Sequence, residues 1–441
     1  MNEALYHACI ANIHADYGLT GNGVYIALID SGIDYTHPAF SSGQIKYLWD
    51  MNANGTPPRG FEHGHLYTDE GINMAQADFH GHGTAVAGVA TAVAPGADLI
   101  IVRLGTGERK NEIMQGLKFV ADIRENKPCA INISYGTNEG AHDGNSPFEL
   151  YVNEIAARRN ISVVAAAGNE GTAGHHFSGV LKTDESEKIE FNIAHNEPFL
   201  YMVMIKNFAD RFTIALTSPT GQSTGVISFV SRPQEFILGT SRITLSAGLP
   251  TPQNVNPEIF FRFENAAKGL WQLEITSLNS AIGTYSIWLP TTEEVGRQTA
   301  FHLPNPTATI TLPATASGVI AVGAYNSALD AAAEFSGRGG EGVKFPDIVA
   351  PGVNVLSAQA GGGYDSFTGT SIAAPFVTGA AALLMEWGII QGNDPLLYGE
   401  KIKAFLRRGA TRNTLREYPN NIWGYGALCL HATLEELRGV L

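Results

Sequence analysis

Only three of the 441 residues are cysteines, Cys9, Cys129 and Cys429. The odd count and the lack of any C-x-x-C pair argue against a disulfide framework and against a cysteine metal site. Cys129 stands just before the apolar run Ala130 to Ile133, where a small buried hydrophobe fits. Positive charge is scarce: 28 Lys and Arg face 42 Asp and Glu, a formal net charge of −14. A surface this acidic repels polyanions, so no nucleic-acid partner is expected. No stretch supplies about 18 apolar residues free of Gly, Pro and charge, so no membrane span is expected. Met1 to Leu19 lacks a basic leading region and an unbroken apolar core, so this chain is not expected to carry a signal peptide. What is present is a chain 44% hydrophobic, long enough for two domains, with 49 glycines that imply many tight turns.

Val24 to Ile29 is a continuous apolar run, the pattern of a strand buried on both faces of a parallel sheet. Asp98 to Leu104, Ala130 to Ser134, Ile161 to Ala166, Gly318 to Tyr325 and Asp347 to Ala350 repeat it, separated by helical patterns such as Asn111 to Asn126. Ser146-Pro147-Phe148-Glu149 is a capping box with proline at the first helical position. Residues 41–79 read as loop, punctuated by Asn54-Gly55 and Pro57-Pro58. Within them Glu62-His63-Gly64-His65 lacks further ligands at a metal spacing and reads as solvated loop. From about 175 to 305 the texture changes to eight short β-rich runs with no helix, the pattern of a β-sandwich or jelly roll. The α/β pattern then resumes. The chain therefore divides into an α/β domain in two parts, 1–174 and 306–441, around an all-β insert at 175–305. Trp271 and Trp288 of the insert are expected in the core rather than on a ligand platform. The insert is expected to pack tightly on the α/β part.

Four short motifs carry chemistry. Asp30 ends the first buried run in Ile29-Asp30-Ser31-Gly32, where open α/β sheets place their sites. On this run alone it reads first as a turn or cap residue. His82, in His80-Gly81-His82-Gly83-Thr84, opens a small-residue helix and is a better candidate base than His80, a loop residue. Asn169 in Ala167-Gly168-Asn169-Glu170-Gly171 is either a turn former or an amide donor to a developing oxyanion. Ser371 lies in Gly369-Thr370-Ser371-Ile372-Ala373-Ala374-Pro375, at a helix start where free N–H groups favour negative charge. Pro375 is expected in the first turn, where its missing N–H costs nothing.

Taken together, in the order Asp30, His82, Ser371 and with Asn169 between the last two, these motifs resemble the subtilisin-like serine proteases of the peptidase S8 family. The likeness covers about residues 20–174 and 306–390. The stretches from Leu48 to Gly64 and from Ser134 to Ser146 resemble the Csp-type proteases of bacterial spore germination, which also carry a jelly-roll insert. The resemblance implies a subtilisin-like three-layer fold, a parallel sheet with helices on both faces, and a serine endopeptidase acting on protein or peptide substrates. It implies that Asp30 orients His82, that His82 takes the Ser371 proton, and that Asn169 holds the oxyanion. Ser134, Tyr135 and Gly136 resemble one wall of the specificity pocket, and Ala165, Ala166, Ala167 and Gly168 the opposite wall. The family's usual calcium ligands are missing: His37-Pro38-Ala39-Phe40 holds no carboxylate, and Val93 runs directly into Ala94-Pro95. No metal or other cofactor is therefore expected. About twenty residues precede the first strand, where this family usually has a folded propeptide, so a mature form or a member without one is expected. A Csp-like role would place it in the cytoplasm or spore of a bacterium and would extend to activating a zymogen by limited proteolysis. The rival reading is a catalytically idle regulatory protein on the same fold. The intact triad favours the enzyme.

Overall fold

The computed structural model describes residues 2–440 apart from 77, 79, 230, 231, 253 and 257. Its α/β part is organised on one sheet. β1 (Tyr25–Asp30) runs parallel between β4 (Asp98–Arg103) and β5 (Cys129–Ile133), with β2 (Ile45–Asp50) beyond β4 and β6 (Ile161–Ala166) beyond β5. Ile320–Asn326 extends the sheet parallel to β6, and Ile348–Pro351 pairs with it in turn. The two edges are antiparallel: β3 (His65–Thr68) on β2, and Ala331–Ala332 on Ile320–Asn326. The expected parallel sheet is thus its centre, and the whole is mixed.

The unbroken apolar runs form strands because both faces of the sheet are covered. Ile26 and Leu28 of β1 join one core with α3 (His82–Val93) and α7 (Thr370–Met385). Tyr25, Ala27 and Ile29 point the other way, into a second core with α4 (Arg109–Ile123) and α5 (Pro147–Ala156). Two N-terminal helices, α1 (Asn2–His7) and α2 (Ile10–Tyr17), and two C-terminal ones, α8 (Glu400–Arg408) and α9 (Leu430–Val440), close the first of these layers. The segment Thr370–Ile390 is long and apolar enough to cross a membrane by composition, but 94% of its apolar window is buried in this core.

Three expectations need correction. Cys9 and Cys429 form a disulfide with Cα atoms 4.8 Å apart, although 420 residues separate them. The pairing exists because α2 and α9 pack together, a tertiary contact that spacing does not reveal. Cys129 is free and buried, and burial pushes its thiol up to about 12. Residues 41–79 are not all loop: β2 lies there beside β4, with β3 outside it as the edge strand, among the turn signals, and His65 Nδ1 accepts the Thr56 N–H at 2.7 Å. Pro375 is inside α7, not in its first turn.

The all-β insert consists of a five-stranded and a six-stranded antiparallel sheet, more strands than the eight runs suggest. It also holds a single helical turn, α6 (Thr292–Val295). Trp271 is fully buried between the sheets with Phe191 and Phe263. Trp288 is buried too, but in the core of the α/β part: it stacks on His142 at 4.2 Å and donates Nε1–H to the Ala308 carbonyl at 3.0 Å. Burial depresses both flanking histidines, His142 and His176, to about 4, so this stack is uncharged. Asn138 Nδ2 donates to the Leu289 carbonyl at 2.9 Å, and Tyr201 meets Thr137 at 3.2 Å. The insert is therefore seated on the α/β part by buried aromatic and polar contacts, as expected.

Candidate active site

The site lies at the C-terminal ends of the parallel strands, the position dictated by strand polarity in an open α/β sheet. Asp30, the last residue of β1, is buried, and its Oδ1 accepts the His82 Nδ1–H at 2.7 Å. The Asp30 carboxylate raises the His82 pKa to about 9 against the opposing effect of burial. His82 is the first residue of α3, and Asp78 holds that helix start in place. The Asp78 carboxylate accepts the N–H of Gly81 (3.0 Å) and of Thr84 (2.9 Å) and the Thr84 hydroxyl (2.8 Å). A buried anion there satisfies otherwise orphaned N–H groups and complements the helix dipole. Ser31 completes the tie, donating to Asp78 at 3.0 Å and accepting the Gly83 N–H at 2.9 Å. His80, by contrast, is exposed.

Ser371 is the second residue of α7. Gly369 before it leaves the space that the nucleophile needs. A Cβ there would stand 2.9 Å from Ser371 Oγ and 3.7 Å from Asn169 Nδ2. Both groups therefore lie close to the same point above Gly369. The Asn169 amide is oriented by Thr370, whose N–H and hydroxyl both donate to Asn169 Oδ1, at 3.0 and 3.1 Å. A backbone N–H can only donate, so the oxygen must face Thr370 and the NH₂ must face the site. The Thr370 hydroxyl also accepts the Gly168 N–H at 3.1 Å.

Pro375 has a different consequence from the expected one. Inside the helix it removes the hydrogen bond that the Ser371 carbonyl would accept. That carbonyl instead accepts the Ser134 hydroxyl at 2.9 Å. Asn132 Nδ2 donates to Ser134 Oγ at 2.8 Å, and Thr378 of α7 donates to Asn132 Oδ1 at 2.9 Å. The buried Asn132 of β5 is thus the link that fixes the wall residue Ser134 to the helix carrying the nucleophile.

Strands β5 and β6 pair up to Ile133 and Ala165; beyond that point Ser134 and Tyr135 line the cleft, and the Gly168 N–H reaches Thr370 of α7. A cleft of about 250 Å³ lies between Asp30, His82, Leu104, Ser134, Tyr135 and Glu293. Glu293 belongs to α6 of the insert. Glu170, next to Asn169, accepts the Thr292 N–H at 3.1 Å and pairs with the buried His175 at 2.5 Å. The insert therefore braces the strand end that carries Asn169.

The structure brings Asp30 and His82 into hydrogen-bond contact, places Ser371 Oγ and Asn169 Nδ2 beside Gly369, and sets Ser134 and Tyr135 in the cleft with His82. Asp78, Asn132, Thr370 and Glu293 escape sequence reasoning. For Asp78 the available signal is an acid just ahead of a helix start. For Glu293 there is none, because it arrives from another domain.

The sequence profile of the subtilase family matches residues 21–204 and 301–426, leaving out most of the insert. Among solved structures, the CspB protease of Clostridium perfringens superposes with a TM-score of 0.90 at 35% identity, covering 99% of this chain and 98% of that one. Subtilisin of Bacillus pumilus is 47% identical over 94 residues, 20% of this chain, and the match spans only 32% of that relative's length. The minor extracellular protease Vpr of Bacillus subtilis is 24% identical over 465 residues, 95% of this chain and 52% of the relative. The profile match on both sides of the insert, and the full-length likeness to a CspB protease, show that this chain belongs to the subtilase family of serine proteases.

Proposed function

We propose that the protein is a serine endopeptidase in which Asp30, His82, Ser371 and Asn169 hydrolyse a peptide bond. The observation that carries this is the Asp30–His82 hydrogen bond, with an Asn169 amide oriented by Thr370 and the Ser371 hydroxyl both close to Gly369. Because Nδ1–H is committed to Asp30, Nε2 of neutral His82 is the free base and takes the Ser371 proton. Ser371 Oγ attacks the scissile carbonyl. The carbonyl oxygen becomes an anion facing Asn169 Nδ2 and the Ser371 N–H, a first-turn group with no intrahelical partner. His82 then gives its proton to the leaving amine, and water hydrolyses the acyl-enzyme by the same route. The substrate lies extended along Ser134 to Gly136, paired by main-chain hydrogen bonds.

The reading extends to limited proteolysis of a protein precursor. The insert's Glu293 lines the cleft beside His82, which narrows access to an extended segment. Labelling by a fluorophosphonate probe tests the chemistry. The wild type should label, and Ser371→Ala should not. An unlabelled wild type, or equal labelling of the alanine variant, refutes the proposal and favours the idle regulatory reading.

A further inference from the structure

The cleft beside His82 carries one unmatched charge. Arg103 lines it, but its guanidinium donates to Asp50 at 2.6 Å and to Gln76 at 2.7 Å. Arg109 lines it too, and donates to Glu112 and to the Gly105 carbonyl, each at 3.3 Å, with its guanidinium 5.6 Å from the centre of the Tyr135 ring. His82, when charged, is paired with Asp30. Each of these cations therefore has its own carboxylate. Glu293 has no counterpart: it is exposed at the cleft and makes no ion pair or hydrogen bond among the described residues. Its charge is felt at the site, since it adds to the larger effect of the Asp30 carboxylate in raising the His82 pKa. The turn that carries Glu293 is firmly held. Thr291 and Glu294 cap it, the Thr292 N–H and hydroxyl both donate to Glu170 at 3.1 Å, and the Tyr201 hydroxyl donates to Glu294 at 3.1 Å. Glu293 takes no part in that bracing, so its carboxylate is left to meet whatever enters the cleft.

We infer that Glu293 selects a basic side chain, Lys or Arg, at the second residue before the scissile bond. The inference rests on the serine endopeptidase reading and specifies its substrate class: protein segments with a cation at that position. An extended peptide turns successive side chains to opposite faces. Laid along Ser134 to Gly136, with the residue at the cut turned between the two walls, it turns the residue before that one toward His82 and the cleft that Glu293 lines. An acidic side chain there would meet the Glu293 carboxylate with no uncommitted cation to offset it. The effect is modest because the cleft is open to solvent: an exposed ion pair is worth up to about fivefold. Exchanging attraction for like-charge repulsion counts twice, so Lys should exceed Glu by about four- to twentyfold.

The test uses the full chain and peptides identical except for Lys, norleucine or Glu at the second residue before the cleaved bond. Norleucine keeps the lysine stem without its charge. In the wild type, kcat/KM should fall in the order Lys, norleucine, Glu. The Lys-to-Glu ratio should shrink toward one at about 1 M salt, where charges are screened beyond about 3 Å. Glu293→Gln, which keeps the shape, should bring the ratio close to one, and Glu293→Lys should invert it. A second pair of peptides, with Lys or Glu three residues after the cut, reports the pull of the acidic surface as a whole, whose net charge is −14. Its ratio should be smaller, and Glu293→Gln should not change it. Fluorophosphonate labelling of each sample separates the two claims. A protein that labels but shows no preference for Lys, keeps that preference in both variants, or shows the same ratio at the control position overturns the role of Glu293 alone. A protein that neither labels nor cleaves any peptide overturns this inference together with the endopeptidase reading.

Discussion

Thr370→Val isolates one hydroxyl. Valine keeps the shape of threonine, so packing at the start of α7 is preserved. The hydroxyl has two partners: it donates to Asn169 Oδ1 at 3.1 Å and accepts the Gly168 N–H at 3.1 Å. Its loss leaves the Thr370 N–H as the one remaining donor from this residue to Asn169 Oδ1, at 3.0 Å. Losing one of two orienting hydrogen bonds, each worth about 1 kcal/mol, should reduce transition-state stabilisation by roughly that amount, a five- to tenfold fall in kcat. Removing the amide donor outright by Asn169→Ala should cost about 10²–10³-fold in kcat, the size of effect known for the corresponding oxyanion donor in subtilisin. The second lost partner acts on stability. Gly168 is buried, so its unpaired N–H should cost about 1–3 kcal/mol in denaturant unfolding. The assay is steady-state kinetics on one peptide beside urea unfolding. KM should change little, since the oxyanion contact forms in the transition state. A Thr370→Val protein with wild-type kcat, or one whose loss appears only in KM, would refute the claim that Thr370 orients Asn169. An additive loss in Thr370→Val/Asn169→Ala would refute it as well, because orientation matters only while the amide is present.

The pH profile follows from the Asp30 pair. A histidine raised to about 9 is protonated, and idle as a base, at neutral pH, so kcat/KM should climb with pH through a group displaced well above 6.5 toward 9. A rise complete by pH 6.5 would show that Asp30 does not hold the cation. Trp288→Ala should lower stability by about 3–5 kcal/mol, because it empties the stack with His142 and strips the Ala308 carbonyl of its donor. Unchanged unfolding would show that the insert is only tethered. Chelation should leave the melting temperature nearly unchanged. Near Ala39, where the family usually binds calcium, the Asp34 carboxylate instead accepts Thr36 and the Gly361 N–H, the latter at 2.8 Å. A large fall in EDTA would reveal a cation site elsewhere.

The sequence by itself determined the layered α/β part, because a strand covered on both faces is predominantly apolar, and Tyr25–Ile29 and Val163–Ala166 are apolar throughout. It also marked Asp30, His82, Asn169 and Ser371, since each sits in a short motif at the end of a strand or the start of a helix. Local signals sufficed there, because the chemistry needs particular residue types at element ends. The strands Ile45–Asp50 and His65–Thr68, the second at the sheet edge, were less legible, since partly covered strands interleave polar residues with the turn signals around them. Tertiary structure alone decided the rest. Cys9 meets Cys429 only because the second and the last helix pack together. Asn132 looks like any residue of a buried strand until Pro375 frees the carbonyl that Ser134 then takes. Glu293 reaches the cleft from the insert, far along the chain from the residues it faces. Strand and helix periodicity report which face of an element is covered. They carry no information about which distant side chain covers it, and that is what sets the access to this site.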